Sequence, residues 1–327
     1  MRLLLLTGPG GEAQGWGDLS VTECVKQAAI SCGHKAFIGW VETDSDFHKV
    51  IRDGAFDMVW SALYYITPND KFIGRNESGT WVADVFDRMD IPYIGSNSQA
   101  MKDMIDKFQT HTILAAADVA VPAHHLVRRH DDVSAITYPA FVKPVCESRS
   151  VGISDSSVVQ NADELRRQVG MIEEMFREPA LVEEFMPGDE YTVLVLGNRE
   201  TKECLPGLVT VEEQYYGRHK VLRSDLRGVG LTHVHRCDGP AAEEAKDLAS
   251  RAADAINCLD HVRIDLKTDG SGKIRVMEVN GIPGLKPKKS WSPQLYTIYH
   301  GSRRGQTEDY RNLIRAVIDS ARRRYNM

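Results

Sequence analysis

The chain has 327 residues, 42% hydrophobic and 26% charged, with a formal net charge of −6 at pH 7. At ~100–200 residues per domain this length suits two or three domains, and the composition excludes wholesale disorder. A mildly acidic chain offers no electrostatic footprint for nucleic acid, and no stretch reaches the ~18 apolar residues of a membrane helix.

In chain order, Leu3–Thr7 predicts a buried strand that runs into Gly8-Pro9-Gly10-Gly11. This is not G-x-G-x-x-G, and G-x-x-x-x-G-K-[ST] occurs nowhere. The glycines suit either a tight turn or backbone approach to an anion. A helical stripe over Ser20–Cys32, strands at Ala36–Trp40 and Met58–Leu63, a helix over Thr80–Met89 and a short strand at Pro92–Gly95 follow. That alternation predicts a doubly wound parallel α/β domain over residues 1–98. One long helix is expected from Gln99 to Ala117, then a strand at Tyr138–Pro144, a polar loop at Cys146–Ser150, a helix at Asp163–Phe176 and a strand at Ala180–Glu183. Glu190–Leu196 alternates as a strand does, Glu212–Arg227 is a polar loop, Ala241–Cys258 is helical, and Asp309–Tyr325 is an amphipathic closing helix. Six cysteines without a C-x-x-C pair read as reduced thiols of a cytoplasmic protein. Trp40, Trp60 and Trp81 are expected in the core, and Cys146, His233 and His235 are read as structural.

The chemistry concentrates in a hairpin, Val262–Lys267 and Ile274–Val279, across the turn Asp269–Gly272. Arg263, Asp265 and Lys267 alternate with Val262, Ile264 and Leu266, and the returning strand sets Glu278 and Asn280 on one face. Oxygen ligands on neighbouring strands suit a hard cation such as Mg²⁺, which takes few carboxylates and completes its shell with phosphate and water. An adjacent arginine suits a developing oxyanion.

The continuation Glu278-Val279-Asn280-Gly281-Ile282-Pro283-Gly284 resembles the E-x-N-x-x-P-G signature of ATP-grasp enzymes, and the chain resembles their D-alanine–D-alanine ligase family. Phe141-Val142-Lys143-Pro144 with the loop Cys146–Ser150, the segment Val182–Val193, and Asp106-Lys107 match further parts of that pattern in order. The resemblance implies an α/β and α+β ATP-grasp fold: an N-terminal domain over 1–98, a central lid over 99–190 and a C-terminal metal-binding domain over 191–327. It implies ATP and two Mg²⁺ ions, with Asp265, Glu278 and Asn280 as metal ligands. Lys107, Lys143, Ser148, Ser150 and Val151 would meet the phosphates, Glu183, Glu184, Phe185 and Met186 the adenine, and Glu190 the ribose. Arg263, Lys220 and Arg149 would act at the reacting groups, and Gly281 and Lys289 on the substrate. Soluble amino-acid-like substrates and a homodimer are the partners it implies.

The substrate half departs from the family. Tyr64–Asp70 and Asn76–Gly79 replace the family's H-G-x-x-G-E-D-G segment, Arg149 stands between Ser148 and Ser150, Val221 replaces a tyrosine and Lys289 a serine. The acid expected in the first glycine-rich loop is Glu12 or Asp18. The reading is an ADP-forming carboxylate–amine ligase working through an acyl phosphate, with a product other than the cell-wall dipeptide, in specialised metabolism. An intramolecular, ring-closing ligase, a catalytically silent ATP-binding module and ATP-dependent phosphorylation without an amine acceptor are the alternatives.

Overall fold

The computed structural model describes residues 1–74, 79–226, 230–303 and 305–327, so Asn76, Glu77, Ser78 and Arg227 lie outside the described residues. The chain begins β1 (Arg2–Thr7), α1 (Gly11–Gln14), α2 (Leu19–Ser31), β2 (Lys35–Trp40), α3 (Asp44–Asp53), β3 (Met58–Ser61), α4 (Val82–Arg88), β4 (Tyr93–Ile94). The four strands form a parallel sheet of order β2-β1-β3-β4. The alternation along β1 shows why helices cover both faces. Leu3 and Leu5 enter a cluster with Val21 and Val25 of α2, whereas Leu4 and Leu6 enter one with Phe47 of α3 and Phe86 of α4. Helix α3, which the sequence reading does not include, carries an apolar stripe of Phe47, Val50 and Ile51 that packs into the second cluster. It is set by a capping box in which the Thr43 hydroxyl accepts from Asp46 N–H and the Asp46 carboxylate accepts from Thr43 N–H. Trp40 departs from expectation: it is 43% exposed on the edge strand β2 and donates its indole N–H to Glu42.

The single helix expected over Gln99–Ala117 is instead two, α5 (Ser98–Ile105) and α6 (Lys107–Ala116). Asp106 between them has an extended backbone, and its carboxylate caps α6 by accepting from Gln109 N–H. The Lys107 N–H then donates to Val145 O at 3.1 Å rather than continuing the helix.

β5 (His124–Val127), β6 (Ala140–Pro144), β7 (Val158–Val159), α7 (Ala162–Phe176) and β8 (Ala180–Glu184) follow. These strands pair antiparallel in the order β5-β8-β6-β7. The remainder is β9 (Glu190–Leu196), β10 (Glu203–Val211), β11 (Thr232–Arg236), α8 (Pro240–Ala255), β12 (His261–Thr268), β13 (Ile274–Asn280), α9 (Trp291–His300) and α10 (Gln306–Arg324). Its five strands run antiparallel in the order β11-β10-β9-β12-β13. Among the described residues, no helix is long and apolar enough to cross a membrane.

Asp260, fully buried, ties distant segments together. Its carboxylate accepts from Arg324 Nη2 at 2.6 Å, Gly95 N at 3.0 Å, Asn198 Nδ2 at 2.9 Å and Ser320 Oγ at 2.9 Å. Replacing Arg324 with Met strips the cation from a buried carboxylate and should destabilise the fold by about 3–5 kcal/mol. Urea unfolding checks this, and an unchanged midpoint would contradict it.

Candidate active site

The polar face of the second large sheet is assembled by register. Asp265 on β12 faces Glu278 on β13, and Arg263 faces Asn280; on the other side β9 sets Thr192 beside Asp265 and Glu190 beside Lys267. A bulge between Asp265 and Leu266 leaves Met277 unpaired in the ladder, and its carbonyl accepts from His111 Nε2 at 3.2 Å. The hairpin is no solvated ribbon: Arg263, Asp265 and Lys267 are all buried, as are Val262, Ile264 and Leu266 behind them.

Buried charges require partners, and each one here has one. Arg263 grips Asp265 with two hydrogen bonds, Nε to Oδ1 at 2.9 Å and Nη2 to Oδ2 at 2.7 Å, while its guanidinium lies 5.0 Å over the Trp291 ring. Asp265 also accepts from the Thr192 hydroxyl at 2.7 Å and from Asn280 Nδ2 at 3.3 Å. Lys107 lies 3.2 Å from Glu278 and donates to Glu147 O. Burial works against the Lys107 charge, but Glu278 together with Cys146 and Glu178 holds the lysine above its ordinary pKa. Lys143 meets Glu183 at 2.9 Å, and Lys267 meets Glu190 at 3.7 Å. Burial raises the Glu183 pKa and pushes the adjoining His111 well down. Lys143 approaches Glu183 Oε1, and Glu183 Oε2 completes no hydrogen bond.

Two cavities meet at this face and share Lys107 and Glu278. The first has an apolar slot of Phe141, Val151, Ile153, Phe185, Met186 and Leu222, ending at Lys143, Glu183, Glu190, Asp265 and Lys267; Glu184 and Ser150 also border it. The second is bordered by Glu12, Asp18, Tyr64, Ser148, Arg149, Arg263, Asn280 and Lys289, among others. Two expected residues lie elsewhere. The Lys220 side chain is exposed and pairs with Glu213 at 2.7 Å, and the lysine reaching the first cavity from that direction is Lys267, which donates to Lys220 O at 2.8 Å. Gly281 borders neither large cavity, and its N–H donates to Tyr64 Oη at 3.1 Å. Of the two N-terminal acids, Asp18 caps α2 by accepting from Val21 N–H, whereas Glu12 pairs with Arg149.

Sequence reasoning missed three residues. Lys267 was visible as the third member of the alternating run. The Glu147 carboxylate accepts from Ile73 N at 3.1 Å and Gly74 N at 2.7 Å, tying the 146–152 loop to the N-terminal sheet's connection. Tyr64 accepts from both Gly281 N and Ile282 N at 3.1 Å. No sequence signal pointed to these last two long-range contacts.

The donor set fits Mg²⁺. Among the described residues no three acidic, His or Cys side chains cluster to hold a metal by themselves. Two carboxylates and an amide on facing strands leave the rest of an octahedral shell to phosphate oxygens and water, as Mg²⁺ prefers.

Comparison with known proteins agrees with this geometry. The fold matches the crystal structure of a Bacillus anthracis D-alanine–D-alanine ligase complexed with ATP, with a TM-score of 0.70 and 19% identity over 100% of this chain and 99% of that one. This is an ATP-grasp fold. A family model described as D-ala D-ala ligase C-terminus matches residues 113–304. A D-alanine–D-alanine ligase of Glaesserella parasuis is 31% identical over 234 residues, 69% of this chain and 73% of its own length. An uncharacterized protein, y4sG, of Sinorhizobium fredii is 28% identical over 328 residues, 95% of this chain and 90% of its own. The chain belongs to the D-alanine–D-alanine ligase family of ATP-grasp carbon–nitrogen ligases, which use ATP and Mg²⁺.

Beneath the 146–152 loop, Glu178 is fully buried and accepts from Cys146 N at 3.2 Å; burial pushes its pKa up from 4.5 to about 7. A carboxyl raised on folding binds more protons in the native state, so its contribution is present below pH ~4.5 and is lost as pH rises to about 7. Glu178→Gln keeps the acceptor and removes the charge. Its stability relative to wild type should rise by on the order of 3 kcal/mol between pH 4.5 and 8, read by urea unfolding at several pH values. A pH-independent difference would contradict the assignment.

Proposed function

We propose that the protein is an ADP-forming carboxylate–amine ligase that works through an acyl phosphate on amino-acid-like substrates. The observation that carries this is the pairing of an apolar slot, ending in buried lysines and carboxylates, with a second charged cavity through Lys107 and Glu278. The slot suits an adenine, and Glu183 Oε2, which completes no hydrogen bond, suits its exocyclic amine. Glu184, Phe185 and Met186 line the base, and Glu190 faces the ribose hydroxyls. Lys143 and Lys107 hold phosphates as compact charges, and Ser148, Ser150 and Val151 close over them. Asp265, Glu278 and Asn280 would hold Mg²⁺, two ions in this reading, whose chemistry is to neutralise phosphate oxygens.

The substrate carboxylate attacks the γ-phosphorus as the bond to the ADP oxygen breaks. The amine then attacks the acyl carbon, the carbon–oxygen bond breaks, phosphate leaves and the amine loses a proton. Positioning and charge neutralisation carry such a reaction. Arg263, which borders the second cavity, stabilises the oxyanion in the second step. Lys220 acts only if its loop turns its side chain away from Glu213, and Gly281 shapes the substrate wall through Tyr64. Lys289 borders the second cavity, and among the described residues it has no carboxylate partner. That cation suits anionic substrates and a product other than the cell-wall dipeptide.

ADP release and product mass across a panel of acids and amines test the reading. A product one water lighter than two substrates marks intermolecular ligation, and one water lighter than a single substrate marks ring closure. Tight ATP binding with no turnover on any pair would contradict ligation. Arg263→Met should lower turnover by about 10²–10³-fold, with urea unfolding as the control for the loss of its buried pair with Asp265.

Arg263 pairs with Asp265 and Lys107 with Glu278, the carboxylates that would take Mg²⁺. Metal and nucleotide should therefore bind cooperatively, each freeing cations for the other. Calorimetry should show the affinity for a non-hydrolysable ATP analogue falling roughly 5–150-fold when Mg²⁺ is chelated. Equal affinities would exclude the coupling.

A further inference from the structure

Three acids border the second cavity, Glu12, Asp18 and Glu278. Each is met by a cation: Arg149 Nη2 lies 3.2 Å from Glu12 Oε1, Lys286 lies 3.8 Å from Asp18, and Lys107 lies 3.2 Å from Glu278. Asp265 nearby is gripped by Arg263. An ammonium group entering here finds no uncommitted carboxylate among the described residues, whereas a carboxylate finds Lys289. We propose that the carboxylate substrate bears no free ammonium beside its carboxyl group, because the Arg149 guanidinium holds the acid, Glu12, that would receive one. This rests on the ligase reading above.

The Glu12–Arg149 pair is about half exposed, and pairing alone would fix little at such a site. Its position is imposed by the backbone. Glu147 is tied to Ile73 and Gly74, the Ser148 hydroxyl donates to Ala13 O at 3.0 Å, and Arg149 Nη1 donates to Glu12 O at 3.1 Å. Arg149 and Ser150 both take left-handed conformations, φ +56° and +59°, that non-glycine residues adopt rarely. Such geometry persists only where surrounding contacts over-determine it. Guanidinium offers several N–H donors and no acceptor. Beside a substrate's α-carbon it repels an ammonium and accepts the company of a neutral oxygen. The donor class is therefore an α-hydroxy acid or an N-acylated amino acid, with the hydroxyl or acyl oxygen facing Arg149.

The test is acid binding, measured by calorimetry on the full chain with Mg²⁺ and a non-hydrolysable ATP analogue. The probes are alanine, lactate and N-acetylalanine, both enantiomers of each, with wild type, Arg149→Lys and Arg149→Ser. Wild type and Arg149→Lys should bind lactate or N-acetylalanine at least about tenfold more tightly than alanine. Arg149→Ser, which releases Glu12, should move that ratio at least about tenfold toward alanine. Alanine binding as tightly as the others in wild type, an unchanged ratio in Arg149→Ser, or no binding of any acid would each overturn the proposal. ADP formation with the same acids and an amine panel is scored separately. Its absence while the binding preference holds counts against ligation and leaves the charge selectivity standing.

Discussion

Mutual neutralisation of buried charge is the constraint on which the rest of this site depends. Lys107 with Glu278, Lys143 with Glu183, Arg263 with Asp265 and Lys267 with Glu190 gather four cations and four anions where little water reaches. Taking an unpaired ion out of water costs several kcal/mol even after relaxation, so a face carrying only cations would oppose folding. The carboxylates hold those cations in place.

That arrangement is a product of strand register. Facing positions on β12 and β13, and on β12 and β9, bring Asp265, Glu278 and Thr192 together. A one-residue slip would turn them to the opposite face. The apolar residues between them, Val262, Ile264 and Leu266, are fully buried on the other side, which makes such a slip costly.

The parts legible in the sequence were those written in local periodicity. The period-2 alternation around Asp265 and the strand–helix alternation of the first hundred residues translate directly into the observed sheets. What escaped depended on single polar side chains or on contacts remote in sequence. Apolar spacing runs unbroken through Asp106, so only its carboxylate cap reveals two helices rather than one. Helix α3 does carry a short apolar stripe, Phe47, Val50 and Ile51, beside its Thr43–Asp46 box, and α9 lies in a segment whose motif drew attention to its loop. The Tyr64 hydroxyl and the Glu147 carboxylate act across 217 and 74 residues of sequence, and no local pattern encodes such partners. Lys220, matched to the pattern from a polar loop, has an exposed side chain that pairs with Glu213 at 2.7 Å.

The docking of α10 on the first domain has a consequence for biosynthesis. Arg324 donates to Tyr93 O across 231 residues of sequence, and α10 packs against α2. At roughly 5–20 residues per second on the ribosome, β4 appears on the order of ten to fifty seconds before the helix that completes its surroundings. Throughout that interval the apolar side of α2 that meets α10 is bare on the nascent chain. The first domain must either tolerate an incomplete core for that time or be shielded by a chaperone until translation reaches the far end of its own hydrophobic cluster.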